Sequence, residues 1–185
     1  MQATPLRRST LIRGFTLVEA MATLAIAVIL ASVVVPSFQG FIESRRIDSA
    51  AIQLAADVQF ARSEAVARNQ AVRMSFHADT QGTCYVLHTG APADCPCTAA
   101  TTAPAACGTP DARQIKTMRW PAAGSIRIGS NVTSLLFDPL HGTSTPAGTL
   151  LVSGPGGRAV HQVVNIMGRL RSCSPQVSMP GYPPC

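Results

Sequence analysis

Three hydrophobic rhythms follow one another along the chain. Residues 15 to 35, FTLVEAMATLAIAVILASVVV, are apolar almost without interruption, and Glu19 is the one ionisable group among these 21 residues. As a helix they would span about 31 Å at ~1.5 Å per residue, the thickness of a bilayer's hydrocarbon core. From 36 to about 70 the rhythm becomes that of an amphipathic helix. Ile47, Ala51, Leu54, Val58, Ala61 and Ala65 recur at steps of 4, 3, 4, 3 and 4, which predicts one apolar stripe laid against a core. Arg45, Asp48, Arg62 and Arg68 fall on the opposite face, where a solvated surface is the simplest reading. Pro36 and Gly40 predict a kink or loosening between the two stretches; if helix continues through them, 15 to 69 makes about 80 Å of it.

After Gln70 the period falls to two. Val72, Met74 and Phe76 alternate with Arg73, Ser75 and His77, and β-rich runs follow at 83–88, 115–120, 125–128, 133–137, 149–153 and 158–166. Gly154-Pro155-Gly156-Gly157 and Asp138-Pro139-Leu140-His141-Gly142 read as turns. The expected architecture is α+β: a long N-terminal helix, membrane-embedded in its first half, packed on an antiparallel sheet in a domain covering 71–185.

One stretch breaks this pattern. Residues 89–114 hold 8 Ala, 5 Thr, 4 Pro and 3 Cys but no Val, Ile, Leu or Phe, so they predict a surface loop that cannot bury a core. Its Cys95, Cys97 and Cys107 make an even set with Cys84, while Cys173 and Cys185 form a C-terminal pair. In an oxidising compartment the economical reading is three disulfides, of which Cys173 with Cys185 is the pairing we favour; the others stay open among the connectivities that six cysteines allow. Closing the Pro-rich tail 173–185 in this way would contribute very roughly 3 kcal/mol. A zinc site fits poorly, because Cys95 and Cys97 are separated by one residue instead of two to four, and His77, His88, His141 and His161 form no close pair. No metal or other cofactor is expected. The scattered Asp79, Asp94, Asp111 and Asp138, with no Gly-rich phosphate loop and no nucleophile elbow, give no reason to expect an enzyme.

Charge adds orientation. Arg7, Arg8 and Arg13 precede the apolar run with no acid among the first 14 residues, so the positive-inside rule keeps the N-terminus cytoplasmic and sends the rest outward. A secretory signal peptide competes, since Ala25-Ile26-Ala27 has the small-x-small form, but that site lies within an apolar run too long for a signal core. Neither a signal nor a plain anchor accounts for Glu19, since an isolated carboxylate at membrane depth is costly and marks a functional position.

Arg13-Gly14-Phe15-Thr16-Leu17-Val18-Glu19 resembles the processing site of type IV prepilins and pseudopilins. The resemblance implies that residues 1–14 are a leader removed by a prepilin peptidase after Gly14. It implies also that Phe15 becomes a methylated N-terminus and that Glu19 pairs with the N-terminus of a neighbouring subunit during assembly. The new ammonium would compensate the Glu19 charge in low dielectric. On this resemblance the fold is pilin-like, and the partners are other pilin subunits, the peptidase and inner-membrane lipid, with a periplasmic domain that enters a pilus.

The last third is basic. From Ala112 to Cys185, Arg113, Lys116, Arg119, Arg127, Arg158, Arg169 and Arg171 face one acid, Asp138, and the final 47 residues contain none. Such a surface attracts polyanions by phosphate contacts and counterion release, and Arg suits bidentate phosphate recognition; solubility and anionic lipid headgroups are the ordinary alternatives. Gly168-Arg169-Leu170-Arg171 is sharper. Arginines two apart in an extended segment project to one side, and the glycine lets the backbone turn or approach a phosphate. In position the stretch from Leu135 resembles the C-terminal part of GspH/FimT-type minor pilins, and in the FimT branch a Gly-Arg-x-Arg motif is implicated in binding DNA during natural transformation. The resemblance therefore implies sequence-independent binding of double-stranded DNA through Gly168, Arg169 and Arg171, with Lys116, Arg119 and Arg158 as further candidates. A GspH-type pseudopilin of type II secretion and a structural or initiation minor pilin share the same N-terminal motif. The Cys-rich loop has no counterpart in the resemblance and could cover or extend the binding surface.

Overall fold

The computed structural model describes residues 14–97, 107–175 and 179–185, without the side chains of 33–37. The leader up to Arg13, the middle of the Cys-rich loop and residues 176–178 of the tail lie outside the described residues. The chain forms two compact units, Met1–Gly40 and Phe41–Cys185.

Helix α1 runs from Leu17 to Arg68, through Pro36 and Gly40, where the sequence predicts a kink or loosening. At its start the Thr16 hydroxyl accepts the amide of Glu19; with Glu at the third helical position this is the sequence of a capping box, and the carboxylate sits favourably in the first turn. Leu17, Val18, Met21, Leu24, Ile26, Val28, Ile29 and Leu30 are all exposed. Among the described residues no helix is long and apolar enough to cross a membrane; the described side chains of the apolar run stop at Ser32.

Within Phe41–Cys185, two antiparallel sheets replace the single sheet expected. Sheet A has the order β3-β2-β1-β5-β6, from β1 (Val72–Asp79), β2 (Gly82–His88), β3 (Gln114–Pro121), β5 (Ser134–Phe137) and the two-residue β6 (Ser144–Thr145). Sheet B has the order β4-β7-β8-β9, from β4 (Arg127–Ser130), β7 (Gly148–Ser153), β8 (Ala159–Val164) and β9 (Leu170–Cys173). Neither β6 nor β9 was anticipated. The sheets meet at β2 and β4, where the Thr83 hydroxyl accepts the amide of Ile128.

The helical stripe is the floor of both sheets. Ile47, Ala51, Leu54, Val58, Ala61 and Ala65 are all 0% exposed. Val72, Met74, Tyr85, Leu87, Leu135 and Phe137 cover them from sheet A, and Ile128, Leu150, Val152, Val160 and Val164 from sheet B. Asp57 and Gln162, two polar side chains that enter this core, are hydrogen-bonded. Asp57, beside the stripe, accepts hydrogen bonds from Tyr85 Oη (2.7 Å), Lys116 Nζ (2.6 Å) and Gln53 Nε2 (3.1 Å), and burial together with the Asp57 carboxylate pushes the Tyr85 phenol far above its usual range. Gln162 Nε2 donates to the Ala51 carbonyl at 3.1 Å.

Three disulfides are present: Cys84–Cys97, Cys95–Cys107 and Cys173–Cys185. The last ties down a tail that places Met179 in the core and lets Tyr182 Oη donate to Asp48 at 2.7 Å; burial and that carboxylate raise the Tyr182 phenol to about 12. The other two fasten the described ends of the Cys-rich loop over the outer face of sheet A. There Arg73 Nε donates to Gly90 O, Ser75 Oγ lies within 3.1 Å of Pro92 O, and Arg119 donates to Cys97 O at 2.8 Å. Beneath the loop Cys84, Val86, His88 and Cys95 are buried. A segment without large aliphatic side chains thus encloses a small second layer by disulfides and hydrogen bonds.

Two outcomes follow. Leu54→Ala removes a buried side chain between the sheets and should lower the unfolding free energy by about 2–5 kcal/mol, read as a lower denaturant midpoint at unchanged slope. His88 bonds Ser75 Oγ through Nε2 (2.9 Å) and the Thr89 carbonyl through Nδ1 (3.1 Å), and burial lowers its pKa below the ordinary 6.5. The unfolded chain therefore binds the proton more readily, and stability falls as pH drops below about 6.5. A thermal-melt series from pH 7.5 to about 5 should show this loss, and His88→Gln should flatten it.

Candidate nucleic-acid interface

The turn joining β8 to β9 positions the Arg-x-Arg pair. Asn165 and Arg169 close it: the Asn165 amide donates to Arg169 O at 3.0 Å, and the Arg169 amide to Asn165 Oδ1 at 2.9 Å. Gly168 adopts φ +70°, and a Cβ there would collide with the Gly142 carbonyl oxygen. Both the backbone angle and the packing demand glycine. Gly168 is buried, so it serves the turn and not the close approach of a phosphate.

Register then decides direction. Arg171 lies opposite Val163, and Gln162 opposite Ser172. Gln162 and Val164 point into the core while His161 and Val163 are half-buried on the other side, so Arg171 belongs to the outer face of sheet B. Arg169, two residues earlier, lies in the turn just before β9. Both arginines are exposed, and neither has an acidic partner among the described residues. The four strands of sheet B contain no Asp or Glu.

The 138–142 turn packs beside this hairpin, with Ser144 donating its amide to Ile166 O and its hydroxyl to Asn165 O. It brings an acid, Asp138, whose carboxylate is engaged by its own loop. The backbone amides of His141 (2.8 Å) and Leu140 (3.0 Å) bond it, and these bonds, led by that of His141, hold its pKa below the usual range. Arg62 of α1 lies over both glycines, with Nε 2.9 Å and 3.2 Å from where Cβ atoms of Gly142 and Gly168 would stand. The sequence pattern had assigned Arg62 to a merely solvated helix face; its place beside the hairpin adds a third positive charge there.

The remaining basic candidates are elsewhere and occupied. Lys116 on β3 is salt-bridged to the buried Asp57 at 2.6 Å. Arg119, also on β3, pairs with Asp79 at 2.7 Å, and its hydrogen bond holds that carboxyl below its usual range. Arg158 faces Glu43 of α1 at 3.4 Å. The structure does not bring these three to Arg169 and Arg171. Asp57 itself was missed in the sequence, although a carboxylate flanked by Leu54 and Val58 of the stripe could have signalled an internal cation. Among the described residues no group of three His, Cys, Asp or Glu side chains is arranged to hold a metal ion. The Cys-rich loop, fastened over sheet A, leaves the outer face of sheet B uncovered by its described residues.

Two crystal forms of the type IV minor pilin FimU from Pseudomonas aeruginosa PAO1 are similar to this chain at 21% identity. They cover 70% and 74% of it and 97% of their own length, with TM-scores of 0.48 and 0.49. No curated protein matches the chain. The family model described as type II transport protein GspH matches residues 50–168, from the amphipathic helix through every strand but β9 to the glycine that precedes the Arg-x-Arg pair. That match spans well over half of the 185 residues, and the chain belongs to the GspH family.

Proposed function

We propose that this protein is a minor type IV pilin that captures double-stranded DNA without sequence preference, for uptake in natural transformation, through Arg169 and Arg171. The observation that carries the proposal is the pair's setting: two exposed arginines, Arg171 on the outer face of an edge strand and Arg169 in the glycine-fixed turn just before it, beside a sheet whose strands are free of acidic residues. Phosphate oxygens are the ligands such forks suit. Lys116, Arg119 and Arg158 fall outside this footprint, because each would have to leave an acidic partner to join it. No recognition helix or ribbon in a groove is needed, since phosphate contacts alone give affinity without sequence choice.

The rest of the reading follows the N-terminal motif. Residues 15–35 anchor the protein in the inner membrane with the sheets in the periplasm, and the peptidase cuts after Gly14. Phe15 becomes the methylated terminus, and Glu19 pairs with the ammonium of a neighbouring subunit as the protein joins a pilus. Its role is structural and non-enzymatic, and repetition of a weak site along a filament raises avidity. The family description favours a second reading, a pseudopilin of type II secretion whose partners are other pseudopilins.

The test is DNA binding by the full chain in nonionic detergent, measured against salt beside Arg169→Gln/Arg171→Gln. Duplexes of unrelated sequence should bind alike, with log affinity falling by ~0.9 per log salt for each phosphate contacted. The double variant, still folded by circular dichroism, should lose about two such increments of slope and most of the affinity at low salt. A parent that binds no DNA at low salt overturns this reading and favours the secretion role.

A further inference from the structure

We propose that Arg127 forms a second phosphate subsite of this DNA surface, at the opposite corner of sheet B from Arg171. The inference rests on the DNA-binding reading above and extends it to a residue with no part in the Gly-Arg-x-Arg motif.

Arg127 opens β4 between Ile126 and Ile128, both buried. Alternation therefore turns it to the outer face, where it is exposed. Its strand partner is Ser153 of β7. With Ser125, Ser153, Gly124, Gly154 and Pro155 it lines a shallow cleft of about 240 Å³. The composition is that of an anion site: one guanidinium and two hydroxyls, with glycines that add no side chain to the rim. Gly156 and Gly157, next along this turn, both have positive φ and open space where a Cβ would stand, so the rim is low. Among the described residues no acidic group pairs with Arg127.

The register ties this cleft to the hairpin. Ser153 marks the Arg127 row; Thr149, four residues back on β7, lies opposite Val163, which lies opposite Arg171. Three strand intervals at ~4.8 Å and four residues at ~3.4 Å put Arg127 and Arg171 about 20 Å apart on a diagonal of the outer face. Between them that face presents Leu151, Thr149, His161 and Val163, with no carboxylate. Phosphates of one DNA strand succeed one another every ~3.4 Å of helix axis, so a 20 Å diagonal spans about six of them. A single small anion cannot bridge two cations at that distance, whereas a duplex backbone can. The occupant that uses both ends of the face is therefore an extended polyanion, double-stranded DNA in this reading.

The test compares the full-length parent with Arg127→Gln, Arg127→Lys, Arg169→Gln/Arg171→Gln and Arg113→Gln in nonionic detergent, titrating a ~25-bp duplex over a salt series. Arg113 is exposed in the loop before β3, so its variant makes the same change in net charge away from this face. Arg127→Gln should bind several-fold more weakly with a slope smaller by about 1, uniformly across sequences. Arg127→Lys should restore the slope, and Arg113→Gln should match the parent. A slope unchanged in Arg127→Gln while Arg169→Gln/Arg171→Gln loses binding overturns the second subsite and leaves the first reading standing. Equal losses in Arg113→Gln and Arg127→Gln also overturn it, since net charge alone would then be responsible. A parent that does not bind overturns both.

Discussion

Everything in the Phe41–Cys185 unit depends on one constraint, the burial of a single helical stripe by two sheets at once. Three of its six positions are alanine, Ala51, Ala61 and Ala65, and strands can approach the helix closely there. Ile47, Leu54 and Val58 fill the wider gaps. Gly154 is held to glycine by the same packing, because a Cβ there would stand 2.6 Å from Ile47 Cδ1. Since sheets A and B share that floor, the inner-facing residues of every strand are committed to it, and period-two alternation fixes what the outer faces display. The functional surfaces are consequences of how the core is paired.

The two outer faces are used differently. That of sheet A is closed by the described ends of the Cys-rich loop, which carry Cys97 to Cys84 and backbone carbonyls to Arg73 and Arg119. The cations of β3 are consumed internally: on the outer face Arg119 holds Asp79 and the loop together, and on the helix-facing side Lys116 neutralises a carboxylate that would otherwise be buried uncompensated, a costly arrangement. The outer face of sheet B keeps its arginines exposed and carries no acid. An overall charge of +6 does not reveal this division; it emerges from which cations have partners.

The sequence made the helix legible because six apolar positions at steps of three and four leave one orientation to bury. Most strands were legible within a few residues for the matching reason of period two. The division into two sheets was not, since it is set by which strands pair, and those pairings join residues far apart in sequence, such as Arg73 with Leu136. β6 is two residues long and gives no period to read, and Leu170–Cys173 read only as an extended segment after the last strand. At the site, the face of Arg171 comes from the pairing of β9 with β8, which the spacing of the two arginines does not give. The loss of Lys116 and Arg119 could not be read either, because their partners Asp57 and Asp79 are 59 and 40 residues away in sequence. Gly168 was legible as a turn glycine, but the neighbour that compels it, Gly142, was not.

The central claim is that the acid-free outer face of sheet B, and no other surface, receives DNA. Backbone amide chemical-shift mapping of the disulfide-bonded unit 41–185, which contains the entire hydrophobic core, tests it most directly during titration with a short duplex at low salt. The account predicts perturbations on β9, on the outward positions of β8 and β7, and around Arg127. Perturbations centred on sheet A or its Cys-rich loop, or none at all, would contradict it.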